Sequence, residues 1–194
     1  MSMPLLQTKL YAPPSRANLI RRPLLAARLC REPSAERFNA GGLRPLTLIA
    51  APAGFGKTTL VSEWINTSAA CGMRGAESSH TPHSVAWLAL DEDDNDMGRF
   101  FTYLLAALRT VGPADLGAGV LALLQSPQPP PLRTLLASLA HELSANLPHC
   151  VLVLDDYHVI SAQAIHDTLI FLLDHVPALR WIITTRADPP LPLG

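Results

Sequence analysis

The segment Ala51-Pro52-Ala53-Gly54-Phe55-Gly56-Lys57-Thr58-Thr59 follows directly on the apolar run Leu46-Thr47-Leu48-Ile49-Ala50. An apolar strand, a Gly-bearing turn, Lys-Thr and then a helix is the order that anion binding at a helix N-terminus requires. Backbone N–H groups curl around phosphate there, and the helix dipole favours negative charge. In that arrangement the Lys57 ammonium reaches the β- and γ-phosphates and the Thr58 hydroxyl holds Mg²⁺, with Pro52, Ala53, Gly54, Phe55, Gly56 and Thr59 completing the cradle. The general pattern G-x-x-x-x-G-K-[ST] begins with Gly, where this chain has Ala51. Ala51 can end a strand with ordinary β dihedrals, whereas Gly54 and Gly56 stand where positive φ or close approach to phosphate is needed. The plain alternative is a Gly-rich turn that only opens a helix; the strand before it and the helix after it favour the phosphate loop.

The rest of the chain repeats the strand and helix alternation. Val85-Ala86-Trp87-Leu88-Ala89-Leu90, Val151-Leu152-Val153-Leu154 and Trp181-Ile182-Ile183-Thr184-Thr185 are near-continuous apolar runs, as expected of strands covered on both faces. Apolar residues recur at helical spacing over 57–66, 97–111, 132–147 and 162–175, with Asn95 or Asp96 as the cap of the second of these. A short amphipathic helix is expected over 22–29. Residues 1–18 read as Pro-rich and extended, 32–45 as a loop and 67–84 as a surface excursion with solvated His80 and His83. Residues 112–131 read as a connection with one helical turn around Leu121. Such alternation implies an α/β fold, a three-layer sandwich around a mainly parallel sheet. At 194 residues, one domain is expected.

Charge and cysteine usage narrow the partners. There are 15 Lys plus Arg against 16 Asp plus Glu, a net charge of −1, so no field draws the whole chain to nucleic acid or an anionic membrane. Cys30, Cys71 and Cys150 are far apart and lack C-x-x-C spacing, which fits reduced thiols rather than a zinc or redox site. No stretch of about 18 apolar residues occurs and the N-terminus has no signal-like apolar core. A soluble, cytoplasmic protein is the expectation.

Open α/β sheets bind ligands at the carboxyl ends of their strands, and polar residues stand at those ends here. Asp155, after four aliphatic residues, is the expected Walker B carboxylate, acting through a water on Mg²⁺ held by Thr58. Asp156 is placed to orient or deprotonate an attacking water, the plain alternative for the pair being a strand end that leads into a helix cap. Arg186 stands where a sensor arginine would touch the γ-phosphate; a solvated strand-end residue is the competing reading. The acidic run Asp91, Glu92, Asp93, Asp94 and Asp96 is read as a solvated face or a cap rather than a cation site, and His158 as a structural histidine.

Several of these segments together resemble the nucleotide-binding module of MalT-type regulators, ATP-dependent LuxR-family activators of the STAND class of P-loop NTPases. The resemblance rests on Thr8-Lys9-Leu10 with Pro13-Pro14, Leu19-Ile20-Arg21-Arg22 with Leu24-Leu25, the loop from Pro52 to Thr59, and Trp64. It continues through Trp87 to Asn95, Arg99-Phe100 with Tyr103-Leu104, Leu154 to His158, and Thr185-Arg186. It covers residues 8 to 188, and such relatives carry Ala or Ser at the Ala51 position.

The resemblance implies an ASCE/STAND-type P-loop core over 46–194, preceded by a segment, 1–45, whose Leu19, Ile20, Arg21 and Arg22 lie near the base. It implies a switch: ADP holds a closed form, ATP with an inducer favours self-association, and slow Mg²⁺-dependent hydrolysis resets it. A fifth strand beside the phosphate-loop strand, helical, winged-helix and repeat domains, and the DNA-binding helix-turn-helix of such regulators are expected to lie beyond Gly194, so this stretch is expected neither to bind DNA nor to enter a membrane. The alternatives are a small-molecule P-loop phosphotransferase, which would need an acceptor pocket and an Arg-bearing lid, or an inactive truncated fragment.

Overall fold

A computed structural model describes residues 5–14, 22–30, 46–71, 84–147, 150–177 and 179–191. The apolar runs become four strands: β1 (Leu46–Ala50), β2 (Ser84–Ala89), β3 (Cys150–Asp155) and β4 (Arg180–Thr185). They form one sheet in the order β1-β4-β3-β2, and every pairing is parallel. Parallel neighbours need crossovers. These run through the helices α2 (Lys57–Cys71) after β1, α3 (Met97–Arg109), α4 (Ala118–Leu124) and α5 (Leu132–Asn146) after β2, and α6 (Gln163–His175) after β3, while α1 (Pro23–Cys30) precedes β1.

Strand side chains alternate between faces, and here they feed two separate cores. Ala86, Leu88, Leu152, Leu154, Trp181 and Ile183 pack with α3, α5 and α6 through Phe100, Phe101, Leu104, Leu139, Leu143, Leu169 and Leu172. Trp87, Val151, Val153 and Ile182 point the other way, onto Ala26 and Leu29 of α1 and Leu60, Val61 and Trp64 of α2. Apolar side chains on both faces explain why the strands read as unbroken apolar runs. The result is the three-layer α/β architecture of a P-loop NTPase.

The structure departs from the sequence expectations in three places. Helix α2 runs to Cys71, five residues past the expected end, and the connection after α3 holds seven-residue α4 rather than a single turn. Residues 7–10 are not extended: Gln7–Leu10 form a 3₁₀ turn that buries Lys9 and Leu10. The acidic run takes the cap reading of its two, with Asp94 fully buried inside it. Asp91 caps the 3₁₀ turn Glu92–Asn95, and the Asp96 carboxylate accepts from the Arg99 N–H at the start of α3. Among the described residues β1 is an edge strand.

Candidate functional site

Residues 51–56 close a turn between β1 and α2 in which Gly54 has φ +81° and Gly56 φ +75°. A Cβ on Gly54 would meet nothing within 4 Å, and one on Gly56 would meet only Thr59 Cβ, at 3.9 Å. Backbone conformation, not crowding, is therefore what requires glycine there. The Gly56→Ala variant is expected to lose about 1–2 kcal/mol of stability from the left-handed backbone alone, which a urea unfolding midpoint would register. Residues 52–55 are exposed, leaving the outer side of the turn open to a ligand.

Lys57 is 8% exposed, and its ammonium donates to the Ala51 carbonyl at 2.8 Å and the Pro52 carbonyl at 3.2 Å. The charge is thus held inside the turn, next to the N–H groups at the start of α2. A phosphate would compete with those two carbonyls for it.

The strand order decides the rest of the site. β4 lies between β1 and β3, so Thr58, at the N-terminus of the helix after β1, must reach past the end of β4 to meet Asp155 at the end of β3. It does: the Thr58 hydroxyl lies 3.0 Å from both Asp155 carboxylate oxygens. Thr184 of β4 fills the intervening place, donating its hydroxyl to Asp155 Oδ1 at 2.5 Å and accepting the Asp156 N–H at 3.0 Å.

Burial raises the Asp155 pKa, opposed by the Thr184 and Thr58 hydrogen bonds and reinforced by the charge of Asp156; the net direction is upward. A carboxyl whose folded pKa is raised binds more protons folded than unfolded, so stability falls as pH rises from the ordinary value of 3.8 through the higher folded one. The ionised form at neutral pH is a cost to the fold, as expected of a group placed for a ligand. Asp155→Asn, which keeps an acceptor for Thr184, is therefore expected to melt at or above the wild-type temperature without ligand and to flatten the loss of stability above the acid range. Melting curves from pH 3.5 to 7 test this.

Asp156 is the only non-Gly residue with positive φ among the described residues, at φ 57°. Its carboxylate is half-exposed and 3.7 Å from His158 Nδ1. Strained backbone of this kind gathers at functional sites. Arg186 is exposed and follows Thr185, whose hydroxyl donates to the Ala187 carbonyl at 2.6 Å. That bond closes a local turn and leaves Arg186 at its outer side, unbonded to the Asp155 cluster. Arg22 is exposed and contributes backbone only, its N–H lying 3.5 Å from the Glu63 carboxylate. Leu19, Ile20 and Arg21 lie outside the described residues.

The structure thus brings together Lys57, Thr58, Asp155 and Asp156. It adds Thr184, which sequence reasoning passed over as one more residue of a strand. The signal was local: a hydroxyl residue at the last inward position of the strand that must lie between the two motif strands. Among the described residues no group of His, Cys, Asp or Glu side chains is arranged to hold a metal by itself. A cation at Thr58 and Asp155 would need phosphate or water oxygens to complete its shell, the usual situation for Mg²⁺.

No family model matches the chain. Its sequence is 36% identical over 188 residues, 96% of this chain, to the HTH-type transcriptional regulator MalT of Serratia proteamaculans. Over 147 residues, 75% of this chain, it is 40% identical to MalT of Yersinia enterocolitica and 35% identical to that of Vibrio campbellii. It spans only 15 to 18% of the length of these relatives. No helix among the described residues is long and apolar enough to cross a membrane.

Proposed function

The chain belongs to the MalT-type transcriptional regulators, matching their N-terminal part, and from that premise we propose that it is an ATP/ADP-binding switch module with slow Mg²⁺-dependent hydrolysis. The observation that carries the reading is the meeting of Thr58 with Asp155 across the end of β4, since a hydroxyl and a carboxylate converging beside a glycine turn is what Mg²⁺-nucleotide binding requires.

Each residue then has a task. Lys57 exchanges the Ala51 and Pro52 carbonyls for phosphate oxygens. N–H groups of residues 53–59 cradle the phosphates. Thr58 and Asp155 would hold Mg²⁺ with the phosphates, Thr184 keeping the Asp155 carboxylate oriented. Asp156 is left to orient the attacking water, and Arg186 would have to swing inward to reach a γ-phosphate. DNA binding and inducer sensing are assigned to other parts of such a regulator, and self-association to the ATP form.

Calorimetric titration of the 194-residue chain with Mg-ADP and Mg-ATP tests the reading. Saturable binding of both at one shared site, dependent on Mg²⁺, is expected; absence of heat with either nucleotide at millimolar concentration contradicts it.

A further inference from the structure

The acidic turn after β2 lies two strands from the phosphate loop, yet it is wired to both the N-terminal segment and the Asp156 loop. Lys9, 7% exposed, bridges Asp91 at 2.9 Å and Asp94 at 2.5 Å, and its ammonium lies 4.3 Å from the centre of the Tyr103 ring. Asp94 is saturated: one oxygen takes Lys9 and the Asp91 N–H, the other the Arg99 Nε. The Leu6 N–H adds a bond to the Tyr103 hydroxyl at 3.2 Å. The turn is therefore clamped by a residue more than eighty positions away.

Asn95 ends that turn, and its carboxamide is also fully used. Nδ2 donates to the carbonyls of Glu92 and Val159, both at 2.9 Å. Oδ1 accepts the N–H groups of Ser161 at 2.7 Å and Ala162 at 2.9 Å. Ala162 stands at the cap of α6 and has no side chain to cap with; Asn95 supplies the oxygen from another part of the chain. Residues 155–162 are thus fixed at one end by Thr58 and Thr184 on Asp155 and at the other by Asn95. Between those anchors lies Asp156 with its left-handed backbone, a conformation that persists only where its surroundings impose it.

We propose that Asn95 is a positioning residue for Asp156, tying the turn clamped by Lys9 to the Asp156 loop so that the N-terminal segment and the carboxyl end of β3 respond together. The nucleotide side of this inference rests on the function proposed above. Coupling is reciprocal: release of the N-terminal segment loosens the Asp156 loop, and a ligand that orders that loop protects the N-terminal segment.

Hydrogen exchange on the 194-residue chain, wild type and variants, with and without Mg-ADP, tests this. Lys9→Met is expected to speed exchange at least about tenfold in both 91–96 and 156–162 while sparing 57–65, since local opening exposes only the released unit. Asn95→Asp, which keeps the acceptor for α6 but loses the donor to Val159, is expected to speed both 156–162 and 5–14, because the lost coupling is shared by the two units. Mg-ADP should slow 5–14 in wild type and not in Asn95→Asp. Faster exchange confined to 91–96 in Lys9→Met, or no change at 156–162 in Asn95→Asp, overturns the proposal. Should Lys9→Met unfold globally, Asn95→Asp decides alone. If Mg-ADP changes nothing anywhere, the nucleotide reading fails while the Lys9 and Asn95 arms still decide the structural link.

Discussion

Replacing Lys9 by methionine should destabilise the chain by about 3 kcal/mol, because removing one member of a buried ion pair strands the other's charge. Asp94 is fully buried with Lys9 upon it. It keeps Arg99 at 3.3 Å and the Asp91 N–H, which is why the low end of the range for such losses applies. For a chain of this length that corresponds to a fall of about 6–12 °C in melting temperature. The double variant Lys9→Met/Asp94→Leu should lose less than the two single variants summed, since it removes both charges together.

A pH signature accompanies the loss. Burial alone raises the Asp91 pKa, but hydrogen bonding and charge from Lys9, with the charge of Arg99, outweigh it and the net shift is downward from 3.8. A carboxyl with a depressed folded pKa contributes stability that is complete above its unfolded value and lost as pH falls through the folded one. Lys9→Met removes the main cause, so wild type and variant should converge in stability as pH falls below about 3.8. Equal separation of their melting temperatures at pH 3 and pH 7 would contradict the assignment.

Lys57→Ala should have the largest effect on ligand binding. Its ammonium is the only Lys or Arg side chain held inside the phosphate turn among the described residues. Deleting a charged donor costs about 1.5–3 kcal/mol, a loss of roughly 10- to 150-fold in nucleotide affinity. The free fold should change little, because the Ala51 and Pro52 carbonyls lie at a turn that water reaches. A variant that melts far below wild type without nucleotide would show that Lys57 serves the fold instead. One that binds Mg-ADP as wild type does would remove it from the site.

Where chemistry is carried by neighbours in sequence, the chain was readable. The strand, glycine turn and Lys-Thr at 46–59 foretold β1, the turn and the start of α2. Four aliphatic residues before Asp155 foretold β3 and its acidic end. What escaped depends on distant partners. Lys9 lies among prolines in a segment read as extended, and nothing local shows that Asp91 and Asp94 wait for it. Locally Asn95 reads as a cap for the next helix, whereas its carboxamide accepts the Ser161 and Ala162 N–H groups at the start of α6 and Asp96 caps α3. Thr184 gained its meaning only from the strand order, which puts β4 between the two motif strands. Arg186 reads either as a γ-phosphate sensor or as a solvated strand-end residue, and its side chain is exposed beside the turn that the Thr185 hydroxyl closes onto Ala187.

The central claim is that the convergence of Lys57, Thr58 and Asp155 is a Mg²⁺-nucleotide site. The most direct test is the melting temperature of the wild-type chain with and without Mg-ADP, beside Lys57→Ala under the same conditions. Ligand at 100 times its dissociation constant should add about 2.7 kcal/mol to the folded state, a rise of about 5–10 °C that is lost in Lys57→Ala and without Mg²⁺. No rise in a folded wild type, or an equal rise in the variant, would contradict the account.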